Sequence, residues 1–209
     1  NFERMEGYIT ILHLGALFVV MGSVLGEREW KWWWNTTLVA SAVMIFYCLF
    51  QLAGVVEIHQ GGVRVDGTLG NAAYLALYFL IHIFVAILFL FRAKTAELRL
   101  VYLALILGQL FIISSTATRG AILGLLGGLF VIGILNITNR ENERARKWSR
   151  ILLGGLVALV LIFISLRHTD FVQKSQVMAR FANLSLTSLK TEGRAFIWPM
   201  AIEGIKERP

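Results

Sequence analysis

The chain has 209 residues, 57% of them hydrophobic and 16% charged, with a mean hydropathy of +0.69. So apolar a composition excludes a water-soluble domain folded around a single core. The net charge of +7 does not call for nucleic acid, because the cations flank long apolar runs, where membrane orientation accounts for them; the lone Cys48 excludes an intrachain disulfide.

Six runs of 16 to 21 residues contain no Asp, Glu, Lys or Arg. As helices each would extend roughly 24 to 32 Å, the thickness of a bilayer's hydrocarbon core. The first predicted span is Tyr8 to Leu25. Segment 26–35 follows with Arg28, Lys31 and the aromatic cluster Trp30, Trp32, Trp33 and Trp34, which suits a membrane–water interface. The second span runs from Thr36 to Val56. It leads into segment 57–73, where Glu57 and His59 precede Arg64-Val-Asp66-Gly67-Thr68-Leu69-Gly70-Asn71. Gly67, Gly70 and Asn71 favour a tight turn there, since glycine and asparagine tolerate positive φ.

The third span, Tyr74 to Phe91, carries His82 in its middle, read as a neutral helix contact before any functional role. After segment 92–99 (Arg92, Lys94, Arg99) comes the fourth span, Leu100 to Ala117, and then, with almost no loop, the fifth, Gly120 to Ile137. Arg119 stands between these two runs at the start of a helix. An arginine at that depth requires snorkelling or an anionic partner. The helix N-terminus favours an anion as well, and guanidinium offers a rigid fork of donors matched to phosphate oxygens. Gly120, Gly124 and Gly128 recur every four residues, which predicts close helix packing. Segment 138–150, with Arg140, Arg144, Arg146, Lys147, Trp148 and Arg150, precedes the sixth span, Ile151 to Leu166.

The loops alternate in charge. Segments 26–35, 92–99 and 138–150 are cation-rich and should face the cytoplasm, whereas 1–7, 57–73 and 118–119 carry only Arg4, Arg64 and Arg119 and should face outward. Residues 1–166 thus form a transmembrane region, and 167–209 begin an outer segment whose mixture of Phe171, Val172, Met178 and Phe181 with Lys174, Arg180 and Lys190 suits interfacial helices. In that segment Pro199 suits the first turn of a helix, which would place Arg194 just before it. The start at Asn1 and the end at Pro209 suggest a piece of a longer protein. His13, His59, His82 and His168 are not at ligand spacing, so no metal or other cofactor is expected.

Three motifs, Arg64-x-Asp66-Gly-Thr-Leu-Gly-Asn71-x-x-Tyr74, Thr116-x-Thr118-Arg119-Gly-Ala-x-x-Gly124 and Arg194-x-x-x-Trp198 followed by Glu207-Arg-Pro209, resemble the O-antigen ligase and polymerase superfamily over Gly61 to Pro209. The resemblance implies an all-α, polytopic bundle of about six membrane helices within a C-type glycosyltransferase (GT-C) fold. It implies a metal-independent transferase in a bacterial inner membrane, acting on its periplasmic face. Glycan would move from an undecaprenyl diphosphate carrier to lipid A core, to a growing glycan or to a protein side chain. By the same resemblance Arg119 and Arg194 engage the carrier diphosphate, Arg64 is a third candidate, and Asp66, Asn71, Tyr74, Thr118 and Trp198 support them. The family's proposed catalytic histidine follows the Glu-Arg-Pro stretch, at which this chain stops, so the base is expected beyond Pro209. Pro199 directly after Trp198 departs from the family pattern. Two other classes fit outward arginines: a transporter or flippase of lipid-linked sugars, and a non-enzymatic anchoring protein, for which Arg119 would be dispensable.

Overall fold

The computed structural model describes residues 2–59, 64–138, 143–169, 172–173, 182 and 193–207. It is all-helical over these residues: α1 (Phe2–Val24), α2 (Glu27–Leu52), α3 (Ala72–Arg92), α4 (Ala96–Ser115), α5 (Arg119–Thr138), α6 (Glu143–Leu166) and α7 (Gly193–Glu207), with a 3-10 turn at Gly67–Leu69. The first six are long and apolar enough to cross a membrane. The chain is therefore an all-α, multi-pass membrane protein.

Each helix overlaps a charge-free run of the sequence but ends where local chemistry ends it. Helix α2 starts at Glu27, well before Thr36, so that Trp30, Trp32, Trp33 and Trp34 lie on its first turns rather than in a loop. Acidic Glu27 and Glu29 suit the positive end of its dipole. The helix stops at Leu52, short of Val56, because Gly54 takes φ +73° and turns the chain back, its N–H reaching the Gln51 carbonyl at 3.1 Å. Asn71 caps α3 by accepting from the Ala73 N–H at 2.8 Å, and Thr95 caps α4 by accepting from Leu98 at 3.3 Å. Helix α6 begins at Glu143, since the charged residues ahead of Ile151 can continue the helix into the headgroup zone.

The core is formed by α2, α3 and α4, with α5 against α3 and α6 against α5. Leu75, Ala76, Phe79, Ile83 and Ala86 form the buried face of α3 and meet Leu38 and Cys48 of α2, Ile106, Ile112 and Ile113 of α4 and Ala121 of α5. Gly124 and Gly128 turn toward α3, where an added Cβ would press on Leu80 and Phe84, and Gly133 faces Leu153 of α6. Gly120 and Gly127 face open space, so the expected small-residue face is made by Gly124 and Gly128. Gln109 of α4 donates to Ser41 of α2 at 2.9 Å, a buried interhelical bond.

Large apolar side chains cover much of the outside, including Phe18, Phe46, Leu100, Phe111, Leu135 and Leu161, each more than half exposed. Such surface matches lipid, where outward apolar residues incur no hydration penalty.

Candidate functional site

The connections alternate between the two ends of the bundle. At one end lie the elbow between α1 and α2, the turn joining α3 to α4, and the start of α6. Tyr102 donates to Asn35 there at 3.1 Å, and two grooves of about 440 and 560 Å³ open around the tryptophans, one lined by Arg28, Glu29, Trp32 and Trp33, the other by Lys31, Trp34, Phe89 and Arg92. Trp30 and Trp34 stack at 6.1 Å. This is the cation-rich, aromatic-belted end. The opposite end holds the connection between α2 and α3 and the turn between α4 and α5, and with them Arg64, Asp66, Asn71, Thr118 and Arg119.

Asp66 organises the first of these. It is fully buried, and both of its carboxylate oxygens are engaged: Oδ1 accepts from Gln51 Nε2 at 2.8 Å and Oδ2 from the His59 backbone N–H at 3.0 Å, with His59 Nδ1 at 3.6 Å. Gln51 also donates to the Glu57 carbonyl at 2.9 Å and accepts from the Gly67 N–H at 2.9 Å. A buried carboxylate is tolerated when its lone pairs are filled in this way. Gly67, at φ +58° with Leu75 and Met44 crowding the place of a Cβ, has no room for a side chain. The segment is thereby fixed onto the end of α2.

From this fixed base Arg64, half-buried, reaches the α4–α5 turn. Its Nε donates to the Thr116 carbonyl at 2.8 Å and its Nη2 to Thr118 Oγ1 at 3.0 Å. The Thr118 hydroxyl in turn faces the Ala72 and Thr116 carbonyls, both at 3.4 Å, and the Thr118 carbonyl accepts from Ile122 at 3.4 Å in the first turn of α5. Between the two threonines Ala117 is left-handed, at φ +49°. Helix α4 therefore ends at Ser115, and α5 opens at Arg119, which is half-buried in its first turn.

The predicted residues thus divide. Arg64, Thr118 and Arg119 come together at one turn. Asp66 and Asn71 hold backbone, one by fixing the loop and the other by capping α3. Tyr74 is 64% exposed on the outside of α3. Arg194 falls within the first turn of α7, not ahead of a helix: α7 already runs from Gly193, with Pro199 inside it. Pro199 removes one backbone donor without ending the helix. The side chains of Arg194 and Trp198 lie outside the described residues, as do Phe171, Lys174, Met178, Arg180, Phe181 and Lys190.

Gln51 was not singled out by the sequence, although its position as the one long polar side chain near the end of an apolar run was a signal. Inside the bundle His82 bonds through Nδ1 to the Tyr78 carbonyl at 2.7 Å and lies 4.1 Å from the Tyr78 ring, the helix contact expected of it.

A polytopic helical membrane protein with arginines gathered at its cation-poor end is the class defined by this fold. The family model for O-antigen ligase matches residues 103–209, just over half of the chain, and the chain belongs to that family. This is a group of glycosyltransferase-type enzymes whose substrates are lipid-linked glycans and their acceptors. The match begins within α4 and contains Thr118, Arg119, Arg194 and Trp198, while the Arg64–Tyr74 segment precedes it. No curated protein and no solved structure matches the chain.

Proposed function

We propose that the chain is part of an O-antigen ligase-like transferase that takes a glycan from undecaprenyl diphosphate at the extracytoplasmic end of its bundle in the bacterial inner membrane. An acceptor hydroxyl attacks the anomeric carbon, the bond from that carbon to the diphosphate oxygen breaks, and the electron pair leaves with the diphosphate. The hydroxyl proton goes to a base not assigned within 1–209. Arg119 stabilises the departing diphosphate, assisted by the N-terminal amides and dipole of α5, and Arg194 is proposed as a second diphosphate ligand. The guanidinium groups supply the charge stabilisation without a metal.

The observation that carries this reading is the position of Arg119. It opens α5 at the cation-poor end, within the family-matched region, beside a turn that the rest of the protein holds in place. The loop-charge pattern supports the cytoplasmic assignment of the tryptophan-rich end and hence the outward assignment of this one. Membranes containing the full-length protein, supplied with undecaprenyl diphosphate-linked glycan, test it. Arg119→Ala at equal expression should reduce glycan transfer by roughly 10² to 10³. Unchanged transfer would reduce Arg119 to an interfacial anchor.

A further inference from the structure

We infer that Arg64 is a positioning residue: its guanidinium braces the α4–α5 turn in a left-handed conformation and so sets where Arg119 stands, instead of binding the carrier diphosphate itself. This inference rests on the reading of Arg119 above.

Three observations converge on it. Ala117 is the one non-glycine residue at positive φ among the described residues, a conformation that crowds its Cβ against the following carbonyl. An alanine stays there when its surroundings hold it. The guanidinium does so from both sides, with Nε on the carbonyl of Thr116, just before Ala117, and Nη2 on the hydroxyl of Thr118, just after it. At the end of a helix such as α4 the last carbonyls lack intrahelical donors, and Arg64 supplies one of them. A planar fork can hold two acceptors at fixed separation, which a lysine cannot.

The base of the brace is as firm as its tip. Val65 and Asp66 are fully buried, and Asp66 is bonded to Gln51 and to the His59 backbone. Arg64 therefore extends from a segment anchored on α2 to a turn more than fifty residues away, and Thr118 links that turn onward to the start of α3. With Nε and Nη2 committed to Thr116 and Thr118, the edge of the guanidinium that they form is occupied by protein. Arg119 directly follows Thr118, so the brace acts on the residue that opens α5 through a single peptide link.

The test compares wild type, Arg64→Ala, Arg64→Lys, Arg119→Ala and the double variant Arg64→Ala with Ala117→Gly, each as full-length protein in lipid nanodiscs. One readout is amide hydrogen exchange over residues 116–122; the other is glycan transfer from undecaprenyl diphosphate-linked glycan. Loss of the two charged hydrogen bonds should speed exchange and lower transfer about tenfold in Arg64→Ala, and Arg64→Lys should restore neither. Adding Ala117→Gly should recover about fivefold in both, because glycine takes the left-handed conformation without the steric cost. A diphosphate ligand lost from position 64 could not be recovered at position 117. Unchanged exchange in Arg64→Ala, or raised exchange with no recovery in the double variant, overturns the brace. If Arg119→Ala retains full transfer, the reading of Arg119 fails instead, and exchange alone still decides the role of Arg64.

Discussion

Arg64 and Arg119 have the same side chain and stand at the same end of the bundle, yet their surroundings separate them. Arg64 extends from a loop whose next residues are sealed into the core and gives donors to Thr116 and Thr118. Arg119 opens a helix, where the positive dipole end favours an anion close by. The loop in turn depends on Asp66. Replacing it by alanine leaves one N–H of the buried Gln51 amide and the partly buried His59 backbone N–H without their acceptor, and the Asp66→Ala variant should lose about 1–3 kcal/mol of stability. Thermal unfolding in detergent measures this; an unaltered midpoint would mean that water replaces the carboxylate at no cost.

At the level of helices, the sequence showed six long apolar helices through a single physical signal, the absence of charge over a membrane's thickness. It did not locate their ends, because ends are set by features that hydropathy does not register. Gly54 turns the chain at the end of α2, left-handed Ala117 separates α4 from α5, and charged turns before Ile151 extend α6. Helix pairing was legible in part: the spacing of Gly124 and Gly128 announced a close neighbour, and the structure identifies it as α3. Leucine at position 128 would meet the Phe84 ring, so Gly128→Leu should cost about 1–3 kcal/mol. A melting temperature equal to that of wild type would show that α3 and α5 separate easily. Gly127 faces open space, and Gly127→Leu serves as the control that should leave stability close to wild type.

For the molecule as a whole, the cation-rich aromatic belt and the turn that carries Arg119 lie at opposite ends. Tryptophans and paired grooves mark one end, with Arg28, Lys31 and Arg92 around them, while the braced turn marks the other. The candidate site was legible as residue types in motif order, but not as roles. Arg64 and Thr116 are separated by 52 positions, and nothing local in either segment announces that one holds the other. Apolar side chains remain exposed up to both ends of the bundle, and the proposed function requires a polyprenyl chain to approach from the bilayer while its diphosphate reaches Arg119 at the interface. The most direct measurement is binding of undecaprenyl diphosphate, without glycan, to the full-length protein in nanodiscs, comparing wild type with Arg119→Ala. Loss of charged hydrogen bonds to phosphate should weaken binding roughly 10- to 100-fold. Equal affinity in the two proteins would contradict a diphosphate site at the start of α5.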